Sequence, residues 1–103
     1  MILTDKAREV FLNIFGVDEQ DKIVALQYFN NKTDIERNAL IVDFFDSVGI
    51  YINIKSKFGQ NKQCERFSYV IKNYNSGFIF NSRQEATIKA IKSANGIYNT
   101  LNK

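Results

Sequence analysis

The 103-residue chain reads as an α+β domain in which N-terminal helices precede a three-stranded antiparallel sheet, and a C-terminal helix packs on one face of that sheet. Three observations predict this. Before residue 50 the apolar residues recur every three or four positions, from Ile50 to Phe80 they alternate with polar ones, and after Ser82 the helical spacing returns. The length suits one domain spanning 1–103, helical and acidic over 1–49, then strand, strand, strand, helix and basic over 50–103.

Thr4 is placed to cap a first helix whose Ala7, Val10, Phe11, Ile14 and Phe15 share a face. Gly16 supplies a left-handed closing residue, with Val17 folding back on Leu12. Asp18 opens a second helix, with Glu19 and Asp21 in its positive first turn. Ile23, Val24, Leu26, Tyr28 and Phe29 give that helix a broad apolar surface, and Asn30 and Asn31 end it. Thr33 and Glu36 form a capping box for a third helix, and Ala39, Leu40, Ile41, Phe44, Phe45 and Val48 cover more than half its circumference. That predicts the central helix of the fold, closed by Gly49.

Strands follow. Ile50, Ile52, Ile54 and Phe58 fall on one side of a period-2 pattern, and Tyr51, Asn53, Lys55 and Lys57 on the other. After a solvated loop over residues 59–64, Glu65 to Lys72 alternates again, with Phe67, Tyr69 and Ile71 on one side and Arg66, Ser68, Val70 and Lys72 on the other. Asn73 to Gly77 reads as a turn that returns Phe78 to Phe80 as the third strand. Ile52, Ile54, Phe67, Tyr69, Phe78 and Phe80 are then expected to face the helices. Ser82 and Glu85 form a second capping box, opening a helix whose Ala86, Ala90, Ile91, Ala94, Ile97, Tyr98 and Leu101 turn inward. Gly96 inside it marks close packing or an early end.

Residues 1–49 hold five Lys or Arg against nine Asp or Glu, a net −4, whereas residues 50–103 hold nine against two, a net +7. This asymmetry points to a basic binding surface on the second half. The plain alternative is that the two halves attract each other across the fold.

The chemistry that remains is narrow. With no His and one Cys, the common zinc ligand sets and the Ser-His and Cys-His nucleophile arrangements are absent. The five Gly are scattered, so there is no phosphate loop, and Asp18, Glu19 and Asp21 lack calcium-loop spacing. Asp43 followed by Asn53-Ile54-Lys55 is similar to a metal-nuclease pattern, but Asn replaces the second carboxylate and an amide is a poor ligand for magnesium. Cys64 lies beside Lys62 and Arg66, has no neighbouring base in sequence, and reads as a loop cysteine. A lone cysteine and the absence of a long apolar run predict a cytoplasmic protein that no membrane holds. No catalytic residue, metal or cofactor is expected, and nothing specifies an oligomeric state.

The third strand running into Ser82-Arg83-Gln84-Glu85-Ala86, with Ala90 and Ala94 following, resembles the end of a double-stranded-RNA-binding domain across residues 50–101. Only Arg83 and Lys89 match that family's basic helix start, and its Pro- and His-containing loop is missing. A similar strand-to-helix junction occurs in small plant and phage DNA-binding domains whose three-stranded sheet reads the groove. Over residues 38–101 the layout resembles small uncharacterised phage and mobile-element proteins, with a helix ending in Gly-Ile-Tyr, an aromatic second strand and a Ser-Arg-x-Glu-Ala helix start. That resemblance implies a phage or mobile-element accessory protein working in the host cytoplasm, inhibitors of host defence enzymes included.

The expected binding surface is the side of the strands turned away from the helices, carrying Tyr51, Asn53, Lys55, Lys57, Arg66, Ser68 and Lys72, with Arg83 near the end of the sheet. The expected partner is a protein with an acidic surface. The alternative ligand is nucleic acid, with Tyr51 stacking on a base.

Overall fold

The computed structural model describes residues 2–15, 19–58 and 65–102. Helices α1 (Asp5–Phe15), α2 (Glu19–Asn30) and α3 (Asp34–Ser47) are followed by strands β1 (Ile52–Phe58), β2 (Glu65–Ile71) and β3 (Tyr74–Asn75), then by helix α4 (Arg83–Leu101). The strands form one antiparallel sheet in the order β1-β2-β3, and α4 packs across it, so the predicted α+β architecture is the observed one. The expected closure at Gly16 and Val17, the Asp18 cap, the side chains of Phe15, Glu19, Asp21 and Ile23, the 59–64 loop and Cys64 lie outside the described residues.

Helix α4 is the hub, touching β1, β2, α1 and α3, while α2 packs on α1. The sequence pattern pointed to α3 for this role. The reason for the difference is side-chain size: Ala86, Ala90 and Ala94 repeat every fourth position with no exposure, so the α4 backbone can approach the strands closely. Bulkier α3 residues fill the space beside it. Rings link the helices in a chain, from Phe29 to Phe11 (5.4 Å), Phe11 to Phe44 (5.5 Å) and Phe44 to Tyr98 (5.8 Å). On the sheet, Phe67, Tyr69 and Ile71 are buried toward α4, and the Tyr69 hydroxyl pairs with Ser93 Oγ at 2.9 Å.

The third strand is not where alternation placed it. A two-residue connection, Lys72-Asn73, brings Tyr74 opposite Ile71, so pairing begins inside the expected turn. Gly77 then takes φ +84°, and the Ile79 amide donates back to the Gly77 carbonyl at 3.0 Å. That tight bend breaks the period of two. Phe80 alone bridges to Phe67 and stacks on Tyr69, whereas Phe78 is 37% exposed and Ile79 67% exposed. Phe78 is therefore not a core residue, and neither is Phe58, which extends past the helices. Val24, Tyr28 and Leu101 are likewise exposed rather than packed inward.

Helix ends follow local chemistry with two exceptions. Thr33 and Glu36 form the full capping box, and α3 closes through Gly49 at φ +84°. The Gly49 amide there donates to Asp46 O and the Ile50 amide to Phe45 O, the two bonds of a Schellman closure. Ser82 caps α4 by accepting from the Glu85 amide, but Glu85 answers to the Asn81 amide instead of Ser82, so the second box is half formed. Thr4 does not cap α1 with its own side chain. Asn99 of α4 does so: its Oδ1 accepts from the Ala7 amide at 2.8 Å and its Nδ2 donates to Thr4 O at 3.1 Å, while Asn95 Oδ1 accepts from the Thr4 amide at 2.9 Å. Gly96 neither ends α4 nor packs closely, since a Cβ there would meet nothing within 4 Å.

Candidate functional site

Strand β1 touches α3 and α4, β2 touches α4, and the strand residues that join the helical core, Ile52, Ile54, Phe67, Tyr69 and Ile71, lie on one side of the sheet. The other side has no helix over it among the described residues. Register decides what lies there. Lys57 is directly opposite Arg66, Lys55 opposite Ser68, and Asn53 opposite Val70, so these residues form one face two strands wide. Asn53, Lys55, Lys57 and Arg66 are exposed, and Tyr51, 62% exposed, continues the alternation one residue before β1.

Three expected members depart from this picture. Ser68 is on the face by register yet has no exposure, and its Oγ lacks a hydrogen-bond partner, so it cannot touch a ligand. Lys72 is exposed but sits in the hairpin connection at φ +53°, which removes it from the strand alternation. Arg83 lies on the opposite side, its guanidinium 5.5 Å from the centroid of the inward-facing Phe67 ring. Conversely, Phe78 belongs near this face, with its ring 5.8 Å from Lys57 Nζ. The Gly77 that precedes it was the available signal, because a left-handed residue there interrupts strand alternation.

The cations of this face have no ion-pair partner among the described residues. Among the described residues the ion pairs are Lys6–Glu9, Lys32–Glu36 and Arg37–Asp34, all within the first half and all between near neighbours in sequence. Among the described residues no pair joins the acidic half to the basic half. Lys57 and Arg66 face each other across two strands as like charges, an arrangement that costs stability. Lys55 adds a third positive charge one pleat away on the same side.

Elsewhere the chemistry is sparse. Asp43 lies on α3, on the helical side of the sheet, while Asn53 and Lys55 turn the other way, so the nuclease-like residues do not meet. No group of three or more potential metal ligands exists among the described residues. Two clefts, of about 390 and 280 Å³, flank Asn38 on α3; the larger is lined by Ile2, Phe29, Ile41 and Ile88, with Asp34 and Arg37 at its rim. Arg37 is already committed to Asp34 and to the carbonyls of Asn30 and Lys32, where it ties the end of α2 to α3. No described helix is long and apolar enough to cross a membrane. Comparison with family models, with curated proteins and with solved structures returns no match for this chain.

Proposed function

We propose that this chain is a small non-catalytic binding protein that occupies an acidic surface of a partner protein through the outer face of β1 and β2. We read it as a phage or mobile-element accessory protein, a class that includes inhibitors of host defence enzymes. One observation carries the binding role: three exposed cations, Lys55, Lys57 and Arg66, sit together without a carboxylate partner among the described residues, two of them directly opposed, on a sheet face that no described helix covers.

Composition of the patch favours protein over nucleic acid. Nucleic-acid sites that depend on the backbone neutralise roughly 6 to 10 phosphates along a track. Here the cations are few and lie between Tyr51 at one end and Phe78 at the other, which suits aromatic anchors with a charged rim.

The test uses tagged wild type and the folded Lys55→Glu/Lys57→Glu variant as baits in lysate of the native host, each with and without nuclease. A protein captured by wild type, resistant to nuclease and lost from the variant is the expected result. Capture that disappears with nuclease makes nucleic acid the ligand, and equal capture by both baits removes this face from consideration.

A further inference from the structure

The backbone of the same hairpin identifies a second recognition element, the outer edge of β1. Phe67 and Phe80 exchange both of their backbone hydrogen bonds, and Tyr69 bonds to Ser76 with both its amide and its carbonyl. The odd-numbered residues of β2 therefore direct their peptide groups away from β1, and Arg66, Ser68 and Val70 direct theirs toward it. Their register partners Lys57, Lys55 and Asn53 complete that ladder, so Ile54, Ser56 and Phe58 present their N–H and C=O groups to the open edge. None of these groups has a protein partner among the described residues. The edge is unbroken, with seven consecutive register pairs behind it, and Ser56 and Phe58 are exposed.

We infer that an extended acidic segment of the partner adds to this edge as a further strand. The inference rests on the protein-binding reading above and supplies its geometry. An incoming strand would place alternate side chains against Lys55 and Lys57 on the outer side, where Asp or Glu fits, and the intervening ones beside Ile54 and Phe58, where apolar groups fit. Lysine on an exposed edge repels most strands. The same charge disfavours a second copy in the registers that use most of the edge: self-pairing centred on Lys55 sets Lys55 against itself, and centred on Ser56 sets Lys55 against Lys57. An acidic strand turns that barrier into selectivity.

Amide NMR with synthetic acetylated heptapeptides tests this, using alternating Glu/Val, alternating Lys/Val, and a Glu/Val peptide N-methylated at alternate residues. The Glu/Val peptide is expected to shift the amides of Ile54, Ser56 and Phe58, and the other two are expected not to. Ser56→Pro removes an outward N–H and no β1–β2 bond, so it should leave the fold intact and weaken the Glu/Val peptide at least tenfold. Equal binding of the N-methylated peptide, or by Ser56→Pro, overturns strand addition while leaving the charged face as the contact. No response to the Glu/Val peptide overturns the edge inference too, and the lysate capture then judges the face by itself.

Discussion

Single residues on the hairpin separate accessibility from register. Ser68 occupies the centre of the outer face by alternation, yet it is wholly buried with an unpartnered hydroxyl. Leaving a buried polar group unpaired costs about 1–3 kcal/mol, and removing it can be neutral or favourable. Ser68→Ala should therefore hold or raise the denaturant midpoint and leave capture of the partner unchanged; a clear loss of either would mean that the hydroxyl has a partner in the working state. Period-2 reading placed Ser68 on the correct side but could not show its depth, which alternation does not encode. Arg83 shows the opposite failure: the Ser82 and Glu85 pair predicted the α4 start beside it, but only the helix's docking puts its guanidinium over Phe67 instead of beside Lys57.

Individual elements are held by caps that reach very different distances along the chain. Glu36 accepts hydrogen bonds from the Thr33 hydroxyl and amide, and these, with the nearby Lys32 charge, hold its carboxyl below the ordinary glutamate value. A depressed folded-state pKa stabilises the protein above the unfolded value, and that contribution is lost as pH falls through the folded one. Denaturant midpoints measured downward from about pH 5, just above the ordinary glutamate value near 4.3, should fall less in Glu36→Gln than in wild type. A matching fall would place the acid sensitivity elsewhere. The α1 cap is not local at all. Ala7 has no exposure, and its amide donates to Asn99 Oδ1. Asn99→Ala should cost about 1–3 kcal/mol in chemical denaturation, and near-neutrality would contradict the cross-chain cap. Two glycines give opposite signs in the same assay. Gly49→Ala meets no atoms but sits at φ +84° and should cost about 1–2 kcal/mol, while Gly96→Ala, in a regular helix with open space around it, should stabilise by up to about 1 kcal/mol. Capping residues within four positions of each other were readable from sequence, as Thr33 with Glu36 shows. A cap 92 residues away was not, because no local pattern encodes where α4 docks.

Over the whole molecule the helices form a layer on one side of the sheet, and the result is thin and extended, with extents of 53 × 30 × 17 Å. The radius of gyration is 15.2 Å, against about 13 Å for a compact chain of this length. A thin slab leaves one sheet face without a second layer, which is why the basic side of the hairpin is open. Alternation in Ile50 to Phe58 and Glu65 to Ile71 made that face legible, and the charge contrast between halves made it worth attention. The third strand and the rank of α4 over α3 were not legible, since one depends on a bend at Gly77 and the other on alanines small enough to let a helix approach the strands. Under the proposed function, the cations of the outer face serve a partner and not the fold. Arg66→Glu tests it by placing an acid directly opposite Lys57. Its denaturation midpoint and its capture of the wild-type partner should be measured on the same preparation. Equal or greater stability, by about 0.2–1 kcal/mol, is expected together with at least tenfold weaker capture. Undiminished capture by a folded Arg66→Glu protein would contradict it.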